Sequence, residues 1–164
     1  ATIRTAVDGQ IALDPAAHRL YVSDSYEARV LLLDSTSFQP VDQIPVTFGP
    51  GDVAIDPGAH ALYVTFSTDD CVWLLDSTTS RKIAEIPTGD GPEHVAVDPV
   101  AHTAYVTNAL DNTVSVIDTR TGWVTGTITA TIPDASTPTA VATDDTQRIA
   151  YVIHAYTRKG TTCR

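Results

Sequence analysis

Apolar and polar positions along this chain alternate in short blocks. Runs rich in Val, Ile, Leu, Thr and Tyr are separated by clusters of Asp, Pro, Gly, Ser and Thr that return every 8 to 12 residues. That rhythm predicts β-strands, because β-branched and aromatic side chains fit a pleated, half-buried surface while the intervening residues supply turn chemistry. In the clearest stretch the expected strands cover about residues 94–98, 103–107, 113–118 and 123–130. Val30-Leu31-Leu32-Leu33 and Val72-Trp73-Leu74-Leu75 are apolar at consecutive positions, which demands cover on both faces of the sheet. Val114-Ser115-Val116 alternates instead, as a strand does when one face packs more tightly than the other. No stretch sustains a helical period, so helix is expected to be nearly absent.

The pattern repeats. Leu13-Asp14-Pro15-Ala16-Ala17-His18-Arg19-Leu20-Tyr21-Val22 aligns with Ile55-Asp56-Pro57-Gly58-Ala59-His60-Ala61-Leu62-Tyr63-Val64 at an offset of 42 residues. The same offset leads on to Val97-Asp98-Pro99-Val100-Ala101-His102-Thr103-Ala104-Tyr105-Val106. Leu33-Asp34-Ser35-Thr36, Leu75-Asp76-Ser77-Thr78 and Ile117-Asp118-Thr119-Arg120 keep that interval. A fourth copy, Val141-Ala142-Thr143-Asp144 followed by Ile149-Ala150-Tyr151-Val152, comes 46 residues after the third, with the insertion between Asp118 and Val141.

Four strands in about 42 residues is the unit of a β-propeller blade. The predicted fold is therefore all-β: a β-propeller of about four blades, forming one domain over residues 1–164. The copies run over about 8–49, 50–91, 92–137 and 138–164, the last partial, and residues 1–7 read as a lone outer strand. Two arrangements stay open. Either the 1–7 strand completes the last blade of a small closed ring, or the chain is an arc of a larger propeller. An open arc exposes apolar blade faces beyond the few hundred Å2 usual on a monomer and is expected to self-associate through them.

Tyr105-Val106-Thr107-Asn108, with its cognates Tyr21-Val22-Ser23-Asp24 and Tyr63-Val64-Thr65-Phe66, closely resembles the YVTN β-propeller repeat family. Asn112-Thr113-Val114-Ser115-Val116-Ile117-Asp118-Thr119-Arg120-Thr121-Gly122 looks like that family's third strand and following turn, and the resemblance spans essentially the whole chain. It implies the seven-bladed propeller class and an extracellular, periplasmic or cell-surface location. The wider class includes sugar-lactone hydrolases and an antibiotic lyase, so the resemblance identifies a scaffold rather than an activity. The chain departs from the family in its length, about half of a seven-bladed ring, and at Ile153-His154, which replaces the Thr-Asn pair.

Ten Lys and Arg against 20 Asp and Glu give a formal charge of −10, which argues against a nucleic-acid partner. A hydrophobic content of 43% with 18% charged residues is a globular balance, too apolar for a solvated tail. No apolar run is long enough to span a membrane, so no membrane insertion is expected. The absence of Met and the start at Ala1 read as a processed or trimmed chain. Cys71 and Cys163 match no clustered zinc or redox spacing. They fall near the same strand position two blades apart, so regular blade geometry holds them beyond disulfide reach.

The recurring His18, His60 and His102 invite a metal reading, but each sits in the turn of a different blade. Packed sheets lie about 10 Å apart, too far for those three to share an ion about 2 Å from each ligand, so they read as turn residues. The Asp-Pro pairs at 14, 56 and 98 likewise read as turn chemistry. Asp69-Asp70 and Asp111-Asn112 offer hard oxygen ligands without the spacing of a calcium loop, and they too read as turns. No metal centre and no cofactor are expected.

Function on a repeat scaffold is sought where copies differ. By analogy with the propeller fold, the loops from outer strand to next inner strand and those from second to third strand share the face around the channel mouth. That face collects Asp24, Asp52, Glu93, His94, Asn108 and His154 as candidate ligand-binding residues. Glu93 and His94 stand out because a histidine beside a carboxylate can act as base or ligand, although neighbouring strand residues point to opposite faces. Nucleophile-elbow, phosphate-loop and metalloprotease motifs are missing. The favoured reading is a non-catalytic scaffold that binds a protein or small molecule on this loop face, with no catalytic residue assigned. The alternatives are a lactonase-like hydrolase or lyase using His94, Glu93 and His154, and a structural propeller fragment without ligand.

Overall fold

The computed structural model describes residues 9–129 and 135–156, and every regular element among them is a strand. Blade 1 is β1 (Ile11–Asp14), β2 (Arg19–Asp24), β3 (Arg29–Asp34) and β4 (Pro40–Pro45). Blade 2 is β5 (Val53–Asp56), β6 (Ala61–Phe66), β7 (Cys71–Asp76) and β8 (Lys82–Pro87). Blade 3 is β9 (Pro92–Asp98), β10 (Thr103–Asn108), β11 (Thr113–Asp118) and β12 (Trp123–Thr129). The fourth unit is the hairpin of β13 (Ala135–Asp144) and β14 (Ile149–Tyr156). Each of the first three is an antiparallel meander whose strands pair in chain order. The expected third-copy strands coincide with β9 to β12 within two residues, except that Ala130 lies outside the described residues. β13 starts three residues before the repeat boundary read at 138.

The turns explain much of the repeat. Asp14 Oδ1 accepts the N–H groups of Ala16 and Ala17, Asp56 Oδ1 those of Gly58 and Ala59, and Asp98 Oδ1 those of Val100 and Ala101. His18, His60 and His102 close these turns at φ 53°, 52° and 53°. Their carbonyls accept the N–H of Ser35, Ser77 and Thr119, which ties the first turn of each blade to its third. Those third turns are built alike on Asp34, Asp76 and Asp118, as is the β13–β14 turn on Asp144. The donated bonds hold all four carboxyls below the usual carboxylate range. The histidines thus recur for the conformation of a turn.

Strand alternation sends two faces of every blade into different interfaces. Between blades 1 and 2, Tyr21, Val30, Leu32 and Ile44 meet Leu62, Val64, Phe66 and Leu75. Between blades 2 and 3, Tyr63, Val72, Leu74 and Ile86 meet Val95, Ala104, Val106 and Ile117. This double cover accounts for the consecutive apolar residues of β3 and β7. The inner strands β1, β5, β9 and β13 neighbour one another in succession, the arrangement of a β-propeller arc.

At the ends of the described arc the apolar faces are open. Ile11 and Leu13 are 57% and 51% exposed, whereas Val53 and Val95, at the repeat position of Ile11, are buried. Tyr151 is 53% exposed, whereas its equivalents Tyr21 and Tyr63 are fully buried between blades. The lone strand read at 1–7, on which ring closure turned, lies outside the described residues, as does Cys163.

Candidate functional site

A hydroxyl in the second strand of each blade places the first row of the site. Ser23 Oγ accepts the N–H of Gln10 at 2.9 Å, Thr65 Oγ1 that of Asp52 at 2.8 Å, and Thr107 Oγ1 that of His94 at 3.1 Å. These hydroxyls occupy the third position of the Tyr-Val-Ser/Thr run. Each one pins the start of its own blade's inner strand, so Gln10, Asp52 and His94 become one repeat position carried by three successive blades. Thr65 Oγ1 also donates to the Glu93 carbonyl at 3.0 Å, across the blade boundary.

Asp52 joins blades 2 and 3. Its Oδ2 accepts the N–H of Val95 at 3.0 Å and lies 3.4 Å from His94 Nδ1, and its Oδ1 accepts the N–H of Val53 at 2.8 Å. The side chains of Asp52 and His94 are 15% and 28% exposed, so the pair is shielded from water but not sealed from it. A groove of about 390 Å3 opens over this row, lined by Gln10, Asp52, Glu93, His94, Ser25 and Ser67 with the glycines and prolines of the same loops.

Glu93 is exposed on the groove rim. Its repeat equivalents are Gly9 and Gly51, where a Cβ would stand 1.7 Å from the Ser23 carbonyl oxygen and 2.6 Å from Thr65 Oγ1. In blade 3 the β9–β10 register shifts between Thr107 and Asn108, and this irregular copy is the one that carries a side chain there.

Asp24, Phe66, Asn108 and His154 share another repeat position, the last residue of the second strand or its equivalent. Among the described residues, Asp24, Phe66 and Asn108 make their contacts inside their own blades. Asp24 is 2% exposed, accepts the N–H of Glu27 through Oδ1 at 3.0 Å and pairs with Arg29 Nε at 2.9 Å. Phe66 stacks tilted on Trp73. Asn108 is fully buried and its Nδ2 donates to Thr113 Oγ1 and Ser115 Oγ, each at 2.9 Å, while its Oδ1 has no partner among the described residues. His154 lies half-buried on β14, with a buried Nδ1 that is also unpartnered among the described residues. Neither Asp24, Asn108 nor His154 lines the groove.

Of the six residues singled out from sequence, Asp52, Glu93 and His94 therefore meet at the groove. The histidine's carboxylate neighbour is Asp52 of the preceding blade rather than the adjacent Glu93. A signal for that pairing existed in the shared repeat position, but only blade packing brings the two together. Ser25 and Ser67 also line the groove, and in sequence nothing separates them from the other serines of the turns. Asp70 Oδ1 accepts the N–H of Gly91, and Asp111 Oδ1 and Oδ2 accept from Thr113 and Asp90, so these carboxylates serve the loops. Among the described residues no group of three or more His, Cys, Asp or Glu side chains is placed to hold a metal ion. Cys71 is buried and free, its thiol pushed up to about 11 by burial and then by Glu85 and Asp69.

The fold defines a class, the β-propeller, and this chain forms an arc of one. No protein-family model and no curated protein sequence matches the chain. Among solved structures it is similar to hydrazine synthase of Kuenenia stuttgartiensis, with a TM-score of 0.82 and 24% identity over 95% of this chain and 45% of that one. It is also similar to the dihydro-heme d1 dehydrogenase NirN in complex with DHE, with a TM-score of 0.69 and 22% identity over 94% of this chain and 32% of that one. Both neighbours are β-propeller proteins, and the chain spans less than half the length of either. At these identities the likeness is one of fold.

Proposed function

We propose that this chain is a YVTN-type propeller segment that acts as a non-catalytic binding scaffold, holding a small polar ligand or a polar loop of a partner protein in the groove over Gln10, Asp52 and His94. The observation that carries the reading is the convergence of three equivalent loop positions with different side chains on one groove. The hydroxyl clamps keep the backbone constant from blade to blade, and the side chains they present change from amide to carboxylate to imidazole. A surface that held only structural turns would need no such divergence. The Tyr-Val-Ser/Thr run supports the YVTN assignment physically, because its hydroxyl makes the clamp in all three blades.

The test is a binding screen of sugars, polyols, amines and short peptides by calorimetry, repeated with Glu93→Gln and His94→Gln. Binding that weakens about tenfold or more in either variant supports the site. A screen in which no ligand depends on either residue removes it.

The Asp52–His94 pair favours a second reading, a hydrolase of the lactonase kind. A carboxylate beside Nδ1 orients an imidazole as a general base, leaving Nε2 as its lone-pair nitrogen. Turnover of a lactone panel that survives His94→Gln unchanged would end that reading.

A further inference from the structure

The opposite face of the arc holds a second cavity, of about 340 Å3, where blade 1 meets the two turns of blade 2. It lies under the first and third turns of the blades, away from the groove described above. Its walls carry both signs of charge, from Arg19 against Asp14 and Asp42, beside the His60 ring, with Tyr21 closing the inner side by donating from its hydroxyl to the Ser77 carbonyl at 3.3 Å.

The repeat supplies an internal control. At the next interface the equivalents of Arg19 and Asp42 are Ala61 and Ala84, both packed into the apolar cluster between blades 2 and 3. The fold fills that position with alanine and places charge there one blade earlier. Arg19 and Asp42 do not neutralise each other: neither forms an ion pair with any described residue. Asp14 spends Oδ1 on its turn, as Asp56 and Asp98 do in their blades, and the exposed Asp42 accepts the N–H of Gln43 through Oδ1 at 2.8 Å, which leaves an oxygen of each carboxylate without a protein hydrogen bond among the described residues. A half-buried guanidinium without an ion-pair partner among the described residues thus faces one cavity together with two carboxylates, an arrangement of both signs that a ligand of matching charges completes.

We infer that this cavity is a binding site for a small zwitterion of the α-amino acid class. The ligand's carboxylate meets the Arg19 guanidinium, whose planar fork suits two oxygens, and its ammonium meets Asp14 Oδ2 and Asp42. A simple anion would face two carboxylates and a simple cation would face Arg19, so both are disfavoured against a ligand that carries the two charges together.

The experiment is ligand-observed NMR and calorimetry on the whole chain with the standard free amino acids, with acetate and methylamine as single-charge probes. Arg19→Ala and Asp42→Ala place at these sites the residues that the next copy already holds, so both variants are expected to fold. The expected result is binding of at least one amino acid above either single-charge probe, weakened about tenfold or more by each variant. The inference is overturned if no free amino acid binds at millimolar concentration, if acetate or methylamine binds as well, or if Arg19→Ala leaves the affinity unmoved.

Discussion

Removing the Asp52 carboxylate tests whether the blades are joined at the groove by a charge-assisted clamp. In Asp52→Ala the N–H groups of Val53 and Val95 lose acceptors now at 2.8 and 3.0 Å, and His94 loses its carboxylate neighbour. A hydrogen bond to a charged acceptor contributes about 1.5–3 kcal/mol net. Water that enters the groove can re-solvate the freed donors in part, because Asp52 itself is 15% exposed. The expected loss is therefore about 2–4 kcal/mol, a large share of the roughly 5–15 kcal/mol usual for a domain. Asp52→Asn keeps the shape and one acceptor oxygen but turns an amide N–H2 toward a donor, and is expected to cost about half as much. Gln10→Ala is the matched control, since Gln10 holds the same repeat position with an exposed side chain and no side-chain hydrogen bond among the described residues. It is expected to stay within about 0.5 kcal/mol. Urea unfolding followed by fluorescence of Trp73 and Trp123 measures all three. An Asp52→Ala loss no larger than that of Gln10→Ala would refute the clamp.

Other expectations follow from particular residues. Leu62→Ala empties a fully buried position between blades 1 and 2 and should cost about 2–5 kcal/mol in the same urea experiment. Ala28 sits at φ 50°, where a Cβ is disfavoured, so Ala28→Gly should raise stability, by up to about 1 kcal/mol after the added chain entropy of glycine is deducted. The Asp34, Asp76, Asp118 and Asp144 carboxyls are depressed in the folded state, first of all by hydrogen bonds from their turns. Their contribution is complete above the unfolded carboxylate range near about pH 4 and is lost as pH falls through the lower folded values. Urea midpoints measured downward from neutral pH should hold level and then drop below about pH 4, and an Asp34→Asn, Asp76→Asn double variant should drop less steeply. The raised Cys71 thiol should resist iodoacetamide at pH 8 in a Cys163→Ser background and react fully once unfolded, and rapid native labelling would contradict its burial.

Features fixed by local chemistry were legible in the order of residues. The period of Asp-Pro turns, the placing of the histidines in those turns and the consecutive apolar strands of blades 1 and 2 were readable because a turn or a doubly covered strand restricts residue types within a few positions. Asp24 and Asn108 show the limit of that reading: as polar residues beside a loop they looked like ligands, yet each makes its hydrogen bonds inside its blade, Asp24 to a turn and Asn108 to the next strand. Which side chains share a surface depends on how the blades stack. Asp52 and His94 stand 42 residues apart and meet because stacked blades bring equivalent inner-strand positions together. Arg19 and Asp42 are ordinary charges in sequence, and the neighbouring blade's turns make them the walls of a cavity. Strand pairing is local and legible one repeat at a time, whereas blade stacking is a long-range contact whose consequences appear only when the sheets are placed face to face.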